Sequence, residues 1–163
     1  MVKRNLLAVV LGCIFTAVVV LATAGKAQAI QQTFQLKEVV VSLEVPDSCR
    51  SWKPVVASVT VEIDPSNTSA MAGTAGLYYE VTLKEKDRGR DDTIATLTFA
   101  FYMDGNLRKT KQIQFIPKDY EMGFRGNVGL ELYIIVKKKL ANNLIWRTIL
   151  NTKNNYIKLK CHK

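Results

Sequence analysis

A single histidine, three cysteines and a few turn-borne carboxylates are the groups in this chain that could do chemistry. His162 lies next to Cys161. With no second histidine, a Ser-His-Asp or Cys-His nucleophile has no internal base to draw on. The Cys161-His162 pair is also too few ligands for a zinc site, and no Cys-x-x-Cys spacing marks a redox centre. A hydrolase or calcium site would have to be built on Asp91, Asp92, Asp104, Asp119 and Glu121. Most of these have a plainer role in the sequence. Asp91-Asp92 closes the charged turn that begins at Lys84, Asp104 opens the turn Asp104-Gly105-Asn106, and Asp119 follows Pro117-Lys118. Gly123, Gly126 and Gly129 recur every third residue without the strand-then-helix setting of a phosphate loop, and read as a bend between strands. The sequence therefore assigns no catalytic, cofactor-binding or metal-ligating residue.

Binding chemistry is better supplied. Trp52 stands among Arg50, Lys53 and Pro54, three residues after Cys49. An indole beside cations in a restrained loop suits contact with a protein or sugar; the plainer alternative is a ring that plugs the end of a sandwich. Phe124-Arg125 is a second aromatic–cation pair. Aromatics interleaved with basic residues are otherwise thin, so nucleic acid is not an expected partner.

These groups sit in a chain organised for export. Met1-Val2-Lys3-Arg4 gives a positive start, residues 6–24 carry no charge, and Ala27-Gln28-Ala29 offers alanine at both positions that a signal peptidase reads. Residues 1–29 read as a signal peptide. The apolar run is long enough that an uncleaved membrane anchor is the alternative, and Leu11-Gly12-Cys13 is a distant match to a lipidation box. Removing 29 of the 163 residues leaves 134, enough for one hydrophobic core, so residues 30–163 are expected to form a single domain. Lys3, Arg4 and Lys26 leave with the leader and no acid does, which takes the net charge from +9 to +6. The remaining charge is dispersed, with Lys137-Lys138-Lys139 its only run of three, as on a solvated surface. Weak affinity for acidic polymers or anionic headgroups is the alternative.

Cys13 falls in the leader, so the exported part keeps Cys49 and Cys161. In an oxidising compartment the pair is expected to form a disulfide, closing a loop of roughly 110 residues and contributing about 4–5 kcal/mol by chain entropy. Two buried thiols are the alternative.

Period-two alternation dominates what lies between. Val55, Ala57, Val59, Val61 and Ile63 share one face, as do Leu77, Tyr79, Val81 and Leu83. Further strands are predicted over 93–103, 107–116, 128–136, 144–150 and 156–161, with Trp146 in core register with Leu144 and Leu150. The first strand, 34–45, changes phase at Lys37-Glu38, which a bulge would reconcile. About seven to eight strands without helical periodicity predict an all-β fold, an antiparallel β-sandwich with an immunoglobulin-like layout or, failing that, a small barrel. Exported immunoglobulin-like modules and periplasmic inhibitor domains share this general layout, and no residue roles follow from it.

Three long connections, 46–54, 64–76 and 117–127, are where such a scaffold would carry function. Asn67-Thr68-Ser69 fits a glycosylation acceptor, but the leader looks bacterial and no glycan is expected. The sequence thus points to a periplasmic or secreted, non-enzymatic binding module for a protein or cell-envelope partner. An inhibitor, an accessory subunit of an envelope assembly and a carboxylate hydrolase are the competing readings. Membrane contact is expected only through residues 6–24, if they are retained.

Overall fold

The computed structural model describes residues 28–50, 52–64, 76–87, 89–102, 105–117, 128–140 and 144–162. Residues 1–27, Met103, Asp104, the 65–75 stretch, and 118–127 with Asp119, Glu121, Phe124 and Arg125 lie outside the described residues. The described chain is all β. Its ten strands are β1 (Ala29–Gln35), β2 (Val39–Pro46), β3 (Ser48–Arg50), β4 (Val55–Ile63), β5 (Leu77–Glu85), β6 (Asp92–Phe101), β7 (Arg108–Phe115), β8 (Val128–Leu140), β9 (Arg147–Asn151) and β10 (Ile157–His162).

They form two sheets packed face to face. One runs β1-β2-β4-β7 and the other β3-β10-β8-β5-β6, with β9 also on β8. The alternation that predicts the strands also builds the core. Val55, Ala57, Val59, Val61 and Ile63 of β4 face Leu77, Tyr79, Val81 and Leu83 of β5, all at most 3% exposed. Every pairing is antiparallel except β3 with β10, whose parallel register sets Cys161 opposite Cys49 and His162 opposite Arg50. The two cysteines form a disulfide with their Cα atoms 4.4 Å apart, across a sequence separation of 112. Such a bridge persists outside the reducing cytosol, in an oxidising, exported environment.

Three details depart from the sequence reading. The phase change at Lys37-Glu38 is a hairpin turn, not a bulge: the Leu36 amide donates to the Val39 carbonyl at 2.9 Å, and Gln35 pairs with Val40. A turn and a bulge shift the apolar phase alike, and this turn contains no glycine, proline or asparagine to mark it. The short β3 is a further strand, seated by the disulfide. Lastly, residues 144–146 precede β9 outside any strand, and the ladder of β9 with β8 itself slips at Ile149, since Val136 pairs with Leu150 but Lys137 with Thr148. Ahead of the strand, Leu144 is 92% exposed and Trp146 is only partly buried, outside the core.

Where β9 gives way to β10 along β8, Thr152 takes the place of a strand residue. Its hydroxyl accepts from the Ile134 amide at 2.9 Å, and its own amide donates to the Ile134 carbonyl at 3.0 Å. At the other side of the sandwich, lysines lace the two sheets. Lys109 and Lys111 of β7 donate to the carbonyls of Ala100 and Thr98 on β6, each at 2.6 Å. This satisfies edge acceptors that would otherwise invite another strand.

Candidate functional site

The candidate site occupies the end of the sandwich where β2 leaves one sheet and β3 joins the other. The disulfide holds β3 against β10, and beyond Arg50 the chain turns back, with the Lys53 amide donating to the Arg50 carbonyl at 3.2 Å. Trp52 lies inside this turn with φ of 58°, the left-handed region that side chains other than glycine rarely adopt. Its ring is 61% exposed. The plug alternative therefore fails: the indole is displayed to solvent, and Pro54 leads straight into β4.

Beside it is a groove of about 520 Å³, whose walls include Arg50, Lys53, Pro54, Glu44, Val56 and His162. Two of the three predicted contact residues at this corner, Arg50 and Lys53, line the groove, and Trp52, between them in the chain, does not. His162, weighed in the sequence only as a base or metal ligand, and Glu44, which the sequence did not mark, join them. For His162 the signal was present, because pairing the cysteines in parallel places the residue after Cys161 opposite the residue after Cys49. Two cations, Arg50 and Lys53, against the Glu44 carboxylate leave the groove net positive, and His162 adds a further hydrogen-bonding ring, which suits an acidic or hydrogen-bond-accepting surface.

The carboxylates considered for hydrolysis are disposed differently. Asp91 pairs with Lys153, accepts from the Tyr133 hydroxyl at 2.7 Å and accepts from the Asp87 amide at 3.2 Å. Its bond with Lys153, then that with Tyr133, hold its carboxyl down at about 2, so it remains an anion and has no proton to give as a general acid. Tyr133, on the outer face of β8, is nevertheless only 3% exposed; burial, then the bond to Asp91, pushes its hydroxyl up to about 12. Asp92 lies apart, in a groove of about 370 Å³ shared with the buried Glu85. Among the described residues, no three of His, Cys, Asp and Glu gather as a metal site would require.

The Asp91–Tyr133 pair carries a sign-specific pH dependence. Asp91 titrates near its ordinary 3.8 when unfolded and near 2 when folded, so its stabilisation is complete above pH 3.8 and drains away as pH falls towards 2. Tyr133 acts at the other extreme: the folded state keeps its proton after the unfolded state has lost it, so stability declines as pH rises from 10 to about 12. Asp91→Asn should flatten the acid limb of a plot of urea midpoint against pH. Parallel acid limbs in the variant and the parent would contradict the assignment.

No family model and no curated protein matches the chain. Ten chains among solved structures match it. One is a beta-glucosidase from Listeria innocua, determined in complex with gluconolactone; it is 9% identical over 83% of this chain, with a TM-score of 0.35. This chain spans 16% of that enzyme's chain. A likeness of that order transfers neither residues nor activity.

Proposed function

We propose that the protein is an exported, non-enzymatic binding module of the periplasm or cell exterior that holds a protein or cell-envelope partner at the corner formed by residues 50–54. One observation carries the reading: Trp52 is held in a left-handed backbone conformation by a turn anchored on the disulfide, and its ring faces solvent. That conformation costs about 1–2 kcal/mol, and the fold gains no core packing from the exposed ring in return. Strain of this kind concentrates where a side chain is presented to a ligand. Arg50 and Lys53 along the adjoining groove supply the charge that would orient an acidic partner.

The test is photo-cross-linking in cells that make the protein, with p-benzoylphenylalanine replacing Trp52. A discrete envelope adduct is expected, lost on adding Lys53→Glu and absent when the probe replaces Lys84 on the outer face of β5. With the partner in hand, Trp52→Ala should weaken binding about 30-fold, the size of a central aromatic contact. Identical adduct patterns from positions 52 and 84 would dispose of the proposal.

A further inference from the structure

The opposite end of the sandwich, about 30 Å away along the nine residues of β4 at strand spacing, has a different surface chemistry. Leu144 and Ile145, between β8 and β9, are 92% and 65% exposed. Trp146 follows, and a row of rings and cations runs from it across the second sheet. The Lys139 ammonium lies 5.0 Å from the Trp146 ring and 5.6 Å from Tyr78; Tyr78 meets Tyr102 edge-on at 6.4 Å; Lys109 lies 6.0 Å from Tyr102. Beneath Ile145 is a groove of about 270 Å³ lined by Lys138, Lys139, Leu140, Ile145, Arg147 and Ile149. Its lining is thus half aliphatic and half cationic. The carboxylates nearby are committed elsewhere, Glu38 to Lys138, Glu80 to Lys137 and Glu62 to Arg108. Among the described residues no carboxylate pairs with Lys139, Arg147 or Lys109.

We propose that this end seats on the headgroup layer of an anionic phospholipid bilayer, with Leu144 and Ile145 entering the acyl boundary and Lys139 and Arg147 holding lipid phosphates. Charge complementarity selects the occupant. Each basic side chain at an anionic membrane surface contributes about 1 kcal/mol, and long cationic side chains keep their charge at headgroup level while their stems pack on apolar surface. Tryptophan and tyrosine favour that same interfacial layer. An acidic glycan or a nucleic acid fits less well. Stacking sugars or bases need open ring faces, and Lys139 already covers a face of both Tyr78 and Trp146, whereas the aliphatic pair gains most from leaving water for hydrocarbon. The geometry is compatible with the function proposed above and independent of it, because a domain seated this way turns Trp52 and its groove away from the bilayer.

The test is flotation of the protein with vesicles of phosphatidylglycerol and phosphatidylcholine, compared with vesicles of phosphatidylcholine alone. The N-terminal run is common to every variant, so differences among variants report this surface. In a Trp52→Phe background, Trp146 emission should shift to the blue only with the anionic vesicles. Lys139→Gln and Arg147→Gln should each weaken binding about fivefold, Leu144→Ser about tenfold, and added salt should weaken it further. Leu144 is too exposed for its loss to unfold the domain, and thermal melting of each variant verifies this. Three results would overturn the inference: equal binding to both vesicle types, a Lys139→Gln/Arg147→Gln double variant that floats like the parent, or retention on a sulfated polysaccharide with no flotation at all.

Discussion

Replacing both Cys49 and Cys161 with alanine is expected to lower the unfolding free energy by about 2–5 kcal/mol, read as a fall in urea midpoint. The bridge spans 112 positions, so its loss frees a long loop in the unfolded chain, where most of its effect on stability arises. Domains of this kind have about 5–15 kcal/mol in all, so the variant should approach the limit of folding. The local effect should be as distinct as the global one. β3 is three residues long and has only its ladder with β10 to hold it. Without the covalent tie the turn bearing Trp52 should lose its fixed conformation, seen as faster acrylamide quenching of Trp52 in a Trp146→Phe background. An unchanged urea midpoint would mean that the pair does not staple the domain.

Phe101→Ala should cost a similar amount, about 3–5 kcal/mol, for a different reason. The Phe101 ring is fully buried, meets Tyr79 edge-on at 6.0 Å and lies beneath the Lys109 ammonium at 5.3 Å. Its removal opens a cavity at the end of the core and withdraws the surface on which Lys109 rests. Tyr79→Phe provides the contrast at the same contact. The Tyr79 hydroxyl is buried with no hydrogen-bond partner among the described residues, and burial pushes its ionisation well up. Removing that oxygen while keeping the ring should stabilise the domain by about 1 kcal/mol. Chemical denaturation of the two variants side by side tests both expectations, and a destabilised Tyr79→Phe would mean that the hydroxyl is bonded after all.

The sandwich was legible in the sequence wherever one face of a strand is buried along its whole length. On β4, β5 and β10 the odd positions are core and the even positions are not. Legibility failed where the chain changes direction without turn chemistry, as at Lys37-Glu38, and where residues with strand-like spacing lie outside any strand, as at 144–146 before β9. The second failure concealed the surface at the far end, since Leu144 and Trp146 have the spacing of core residues and parity alone assigns them inward. At the other end the reading went further. Cysteine, tryptophan and flanking cations within six residues marked the 49–54 corner, because a disulfide and a proline restrain whatever stands between them. Glu44 could not be found this way, since it joins the groove only through the β2–β4 register that sets it opposite Ser58.

The parallel pairing of β3 with β10 also orders events in time. Cys161 is synthesised 112 residues after Cys49, and the strand on which β3 rests does not exist until then. β8 pairs with β5, made well before it, and with β9 and β10, the last strands of the chain. The second sheet can therefore be completed only once nearly all of the described chain has been made, and loop closure over such distances is slow compared with local pairing. An oxidising compartment suits this order, because the bridge can close only where the last strand and an oxidant meet.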